Sequence, residues 1–175
     1  VRANQGKKDY KEQPEVKRAF EEEPEQVKEP KQVRQMNVQT AKCEVGLKAV
    51  DTNLQGKELQ KREAVMNVLL DALFGKSSPL YYQLYREGLI DETFYYDFTQ
   101  EKGIGFARVG GNTAKPEELA ERVKQILMEA SAGKHLTEEA LQRSVKKKIG
   151  SFLRSINSPE YIANQFTRYA FNGMN

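Results

Sequence analysis

The chain is poor in the residues that make metal, redox and disulfide chemistry. Cys43 is the only cysteine and His135 the only histidine in 175 residues, and tryptophan is absent. A lone thiol rules out an internal disulfide and suits a reducing cytosol, so a cytoplasmic location is expected. One His and one Cys, far apart in sequence, fall short of the three or four ligands that a tetrahedral zinc site needs. No apolar run approaches the ~20 residues of a membrane span, and no signal-peptide pattern opens the chain. An excess of one charge is missing too. Twenty-eight Lys and Arg against 25 Asp and Glu leave a net charge of +3, without the field that gathers nucleic acid or an anionic membrane. Neither is expected as a partner. An initiating methionine is also lacking at Val1-Arg2-Ala3, which suggests a fragment of a longer chain.

What is present is a mixture able to bury one core: 38% hydrophobic and 30% charged residues, at a length typical of a single domain. Residues 1–35 stand apart. They are charge-dense, carry Pro14, Pro24 and Pro30, and have few large apolar side chains, so a charged N-terminal arm or connector is expected, with a strand pairing open near Val33. Residues 36–175 are expected to form one module.

Within it, Cys43, Val45, Leu47 and Ala49 alternate with polar or small residues between Val38 and Val50, the period of a half-buried strand. After a turn ending near Gly56, Leu59, Met66, Leu70 and Leu73 recur at helical spacing, widened by Val65 and Leu69. That predicts a core-facing helix of about four turns ended by Gly75. Ser78-Pro79 supplies an N-cap and a first-turn proline for a short helix burying Leu80 and Leu84, which Gly88 closes. Phe94, Tyr96 and Phe98 then share one face of a strand over Glu92–Thr99. Lys102-Gly103 turns the chain into a second strand, Ile104–Val109, which Gly110-Gly111-Asn112 is expected to break.

Three helices follow. Pro116–Ser131 points Leu119, Val123, Ile126 and Ala130 inward. A helix capped by Thr137 runs to about Ile156 with Leu141, Val145, Phe152 and Ile156 inward. The last starts at Ser158-Pro159 with Ile162, Phe166 and Tyr169 inward. The order predicts an α+β fold, an antiparallel sheet with helices packed on one face, and a further strand from the arm or a missing segment would widen the narrow sheet.

No local motif supports catalysis. Cys43 lies on the apolar face of a predicted strand, where an inert buried thiol is usual, and His135 sits in a loop after Gly133-Lys134. The glycines of GIGFARVGG lack the strand-to-helix context of a phosphate loop, and Gly75-Lys76-Ser77 has Leu70 where a P-loop needs glycine. Arg143 and Lys146–Lys148 read as a solvated helix face. The tyrosines are more suggestive. Tyr95 points opposite to Phe94 and Tyr96, while Tyr85 and Arg86 end the short helix. Exposed tyrosines and an arginine beside a strand edge suit peptide binding by strand addition.

The run from Val45-Gly46-Leu47-Lys48 through LLDALFGKSSPLYYQLYREGLID and FYYDFTQEKGIGFARVGG is similar to the non-zinc module of insulinase/pitrilysin-type (inverzincin) zinc peptidases, especially bacterial processing-protease-like homologues. The likeness spans about Gln32 to Gly173. Its specific part is the helix ending Leu-Phe-Gly, followed by Ser-Ser-Pro-Leu-Tyr and Arg-Glu-Gly-Leu. The resemblance implies two similar halves enclosing a chamber, with peptide along a sheet edge and zinc held by H-x-x-E-H in the first half.

On that likeness this chain is the C-terminal, chamber-forming and substrate-binding module, inactive without a zinc-bearing N-terminal half or partner subunit. Zinc is expected in the missing half and no cofactor in this chain; peptide is the expected substrate, and pairing as a homo- or heterodimer is left open. Family members often carry L-R-x-x-x-G-L-x-Y here, with Arg and Tyr facing substrate. Aligned on Gly88-Leu89, Asp91 takes the place of that Tyr and Arg86 falls out of register. Tyr85, Arg86 and Tyr95 are therefore the candidate substrate-binding residues, with Arg86 and Tyr95 as spatial substitutes. A non-catalytic scaffold or partner subunit is the alternative.

Overall fold

The computed structural model describes residues 2–8, 23–101 and 103–174. After a four-residue helix α1 (Arg2–Gln5), the described part of the arm is exposed and adds no strand, at Val33 or elsewhere. Residues 9–22 of the predicted arm, and Lys102 of the predicted turn, lie outside the described residues. The sheet comprises β1 (Lys42–Lys48), β2 (Tyr95–Glu101) and β3 (Ile104–Asn112), ordered β1-β3-β2 and antiparallel throughout. Helices cover one of its faces: α2 (Gly56–Phe74) packs on β2, and α4 (Pro116–Ser131) packs on β1. The expected α+β architecture is the one observed.

Local chemistry accounts for the joints. Ser78 caps α3 (Pro79–Arg86): its Oγ accepts from the Leu80 N–H at 3.2 Å and donates to the Leu73 carbonyl at 2.7 Å. One buried hydroxyl thereby satisfies orphan groups at the end of one helix and the start of the next. Gly75 ends α2 for a steric reason. Its φ is −66°, and a Cβ there would stand 2.4 Å from the Asp71 carbonyl oxygen. The core joins Leu70, Leu73 and Phe74 to Leu84, to Phe94, Phe98 and Val109, and to Leu119, Val123 and Ile126. Each such side chain contributes roughly 1.5–3 kcal/mol by leaving water.

Five expectations are corrected, the simplest being the strand over Glu92–Thr99, which runs instead over Tyr95–Glu101 and leaves Phe94 just before it. The first strand is shorter than Val38–Val50, and Leu47 is exposed where the helical cover ends. The third strand runs through Gly110–Gly111 instead of breaking there. A Cβ at 110 would lie 2.0 Å from the Cys43 carbonyl oxygen and one at 111 would lie 2.8 Å from Phe94 Cα, so these glycines permit close backbone approach. The five-turn α2 leaves Val65 exposed.

The largest correction concerns α5 (Glu138–Ser155) and α6 (Pro159–Asn172). Their caps are as read: Thr137 Oγ accepts from Ala140 N–H and Ser158 Oγ from Tyr161 N–H. Their orientation is not. Val145, Phe152, Ile156, Ile162 and Phe166 are exposed, Leu141 and Tyr169 only half-buried, and α5 buries just Ala140 and Ser144. The reason is polar. Lys147 reaches buried Asp71 on α2 at 2.6 Å, which turns the small and polar side of α5 inward. On α6, Arg168 pairs with Glu63 of α2 and, at 3.5 Å, with Glu101 of β2, so its polar edge also faces the domain.

Candidate functional site

The face of the sheet away from the helices carries an ordered polar and aromatic array. Across the three strands, Glu44 and Tyr95 both stand opposite Gly110, and Asp97 and Gly46 both stand opposite Arg108. Gly110 offers no side chain, so the Tyr95 ring reaches over β3 and its hydroxyl donates to Glu44. Lys42 pairs with the same carboxylate at 2.9 Å and lies 5.3 Å from the Tyr95 ring centroid. Arg108 pairs with Asp97 at 3.0 Å and sits 5.8 Å from the centroids of both Tyr95 and Phe106.

Hydrogen bonds from Tyr95 and Lys42 hold the Glu44 carboxyl below its usual range. Burial, reinforced by the acceptor Glu44, pushes the Tyr95 phenol up. The array therefore stays Glu44 anionic and Tyr95 protonated at neutral pH. Arg108 Nε–H is buried and has no acceptor among the described residues, an uncommon state for a buried donor. At the far end of this face, Glu23 of the arm meets Lys48 at 2.7 Å.

Tyr85 and Arg86 lie elsewhere, at the end of α3. Both are exposed. Tyr85 stacks on Tyr81 with centroids 6.5 Å apart, and Tyr81 lies 6.1 Å from Phe94. Arg86 lines an open depression of about 500 Å³ with Pro79, Tyr82, Gln83 and Glu87. No hydrogen bond, ion pair or ring contact joins Tyr95 to Tyr85 or Arg86 among the described residues, so the three sequence candidates form two separate surfaces. Asp91 builds the turn into β2: its Oδ1 accepts from the Thr93 backbone N–H at 2.8 Å and from the Thr93 hydroxyl.

Sequence reading did not single out Glu44 or Arg108. The alternation of β3 places Phe106 and Arg108 on the side opposite Ala107 and Val109, which was the available signal for Arg108. The cross-strand reach of Tyr95 to Glu44 depends on register and carried no local signal.

The donors suited to a metal do not converge. Cys43 is buried, donates to the Pro116 carbonyl at 3.2 Å, and has its thiol pKa pushed up first by burial. His135 Nε2 is 2.6 Å from Glu129 Oε2 near the end of α4. No group of three or more His, Cys, Asp or Glu side chains able to hold a metal occurs among the described residues. The described residues do not fit a zinc ion. Among the same residues no helix is long and apolar enough to cross a membrane.

Comparison with known proteins gives three concordant findings. The family profile described as the Peptidase M16 inactive domain matches residues 1–148. The uncharacterized zinc protease YmfH of Bacillus subtilis (strain 168) is 55% identical over 174 residues, which cover 99% of this chain and 40% of that protein. The crystal structure of an M16-like peptidase from Alicyclobacillus acidocaldarius superposes with a TM-score of 0.79 at 32% identity, covering 97% of this chain and 40% of the other. The chain thus spans about 40% of the length of the relatives it matches.

Proposed function

Since the chain belongs to the family of M16 peptidase inactive domains, we propose that it is the substrate-binding and chamber-forming module of an insulinase-like zinc peptidase that hydrolyses peptides. On this reading the zinc and its water-activating glutamate come from a zinc-bearing half, in the same polypeptide or in a partner subunit. The observation that carries the proposal is the open side of the sheet. Among the described residues helices cover one face only, while the other presents Tyr95, Arg108 and Phe106 over the central strand β3, and no strand pairs the outer edges of β1 and β2 that flank it. An extended peptide added there gains backbone hydrogen bonds, with its side chains read by that face. The half-exposed Arg108 guanidinium, held by Asp97, offers positive charge on that face to a peptide carbonyl or carboxylate. Tyr85 and Arg86 form a second, more distal contact. A cytoplasmic location is part of the same proposal.

The test is peptide binding and hydrolysis by the full-length polypeptide that carries this chain. Tyr95→Ala is expected to weaken peptide affinity about tenfold, in line with the loss of an aromatic anchor worth more than ~1 kcal/mol, while Tyr85→Ala and Arg86→Ala have smaller effects. Unchanged affinity and KM in all three variants would sink the assignment. A second reading, a non-catalytic scaffold, draws on Asp91. The position where the resemblance puts a substrate-facing tyrosine is here a turn builder bonded to Thr93. An intact H-x-x-E-H in the remainder of the polypeptide decides for the enzyme, and a degraded one decides for the scaffold.

A further inference from the structure

The outward side of α5 and α6 has no role in the sheet-face site. Val145, Ile149, Phe152 and Ile156 follow one another at intervals of four, three and four residues, the spacing of one helix face, and all are exposed. Ile162 and Phe166 repeat the pattern on α6, with Phe166 74% exposed. On the same helices, buried Asp71 holds Lys147, and Glu63 holds Arg168. Rotating either helix to bury its stripe in this domain would break those pairs, so the stripe is fixed outward.

We propose that this face is the docking surface for the remaining part of the same polypeptide. The proposal rests on the reading above, that the module works with a zinc-bearing remainder. Two observations point to a covalently linked occupant. Both long relatives extend over roughly two and a half times the matched length. The common family profile stops at residue 148, whereas the identity to the long relative continues through α6. The face therefore lies in what this chain shares with both longer proteins, which match 99% and 97% of it. An apolar face of this extent also calls for a cover, and a tethered one acts at high effective concentration. Lys146 and Lys148 flank the stripe on opposite sides, so the covering surface is apolar with an acidic margin.

The experiment places the photo-crosslinking residue p-benzoylphenylalanine at Phe152, and separately at Phe166, in the full-length polypeptide. Irradiation is followed by gel electrophoresis and mapping of the joined peptides by mass spectrometry. The expected result is cross-links to residues outside this chain with no doubling of mass. A covalent dimer would show a second copy on the face. Links confined to this chain would show the stripe folded inward, and no links would show it open to solvent. Each of these three overturns the proposal. Peptide hydrolysis is measured on the same preparations. Cross-links without hydrolysis count against the peptidase reading alone, and hydrolysis without cross-links counts against the docking surface alone.

Discussion

Helices α4 and α5 were equally legible as helices and ended in opposite situations. Each begins with acidic residues in its first turn, which suit the positive end of the helix dipole. Each carries an apolar stripe of the same period. Yet α4 buries Leu119, Val123 and Ile126 against the sheet, while α5 turns Val145, Ile149 and Phe152 to solvent. The difference lies in the partner. The side of the sheet facing α4 is apolar, with Cys43 and Val45, whereas α2 presents to α5 the buried carboxylate of Asp71. Leaving such a charge unpaired costs about 3–5 kcal/mol. Lys147 therefore decides which side of α5 faces in. Periodicity announces that a face will be covered and is silent about what covers it.

The sharpest break of this comparison sets one phenylalanine against another. Phe74 on α2 is 1% exposed and meets Phe94 edge-on at 6.1 Å. Phe74→Ala is expected to lower unfolding free energy by about 4 kcal/mol. Phe152→Ala in this chain alone should change it by under ~0.5 kcal/mol. Urea denaturation of both variants measures the contrast, and equal losses would mean that α5 buries its stripe within this domain.

Asp71→Asn attacks the cause of the contrast. Burial raises the pKa of the Asp71 carboxyl, but bonds from Lys147 and Tyr96 outweigh it and hold the carboxyl below its ordinary value. A depressed folded pKa adds stability that is complete above the unfolded value near 4 and fades as pH falls below it toward the folded one. The substitution leaves only half-exposed Lys147 without its carboxylate, so it is expected to cost about 2–3 kcal/mol at pH 7, the worth of a charge-assisted hydrogen bond, and to flatten the acid limb of the stability profile below about pH 4. Hydrogen exchange should quicken in α5 before the sheet. Uniform quickening across both would show that Asp71 does not specify the docking of α5.

Much of the architecture was readable because its determinants are local. Ser78-Pro79 and Thr137 act within one turn, and the stripe of α4 meets a face already marked by the strand alternation. What escaped the sequence was long-range. The pairing of Asp71 with Lys147 spans 76 residues, and nothing near Lys147 distinguishes it from its solvated neighbours Lys146 and Lys148. The candidate site divides the same way. The outward direction of Tyr95 follows from strand alternation, but its company of Glu44, Lys42 and Arg108 follows from register across β3.

Gly110→Ala tests that register. The added methyl must displace the Cys43 carbonyl, so β1 is expected to loosen from β3 at a cost of about 2 kcal/mol, as in other overpacked sites. Faster amide exchange confined to β1 and its partners on β3 is the expected signature. A variant with unaltered exchange would mean that glycine is not required at the row joining Glu44 to Tyr95.

The smallest effect on stability belongs to Tyr95→Phe. It removes one half-exposed hydrogen bond to Glu44 and keeps the ring beneath Lys42 and Arg108, so the expected cost is about 0.5–1 kcal/mol. The loss should be visible in titration as well. The Tyr95 phenol is held above the ordinary tyrosine value, so the difference between wild-type and variant absorbance at alkaline pH should rise later than for a free phenol. Stability near wild type together with weakened peptide affinity would assign the hydroxyl to recognition. A loss as large as that of Phe74→Ala would instead make the open face a second core, and the contrast between the two sides of the sheet would fail.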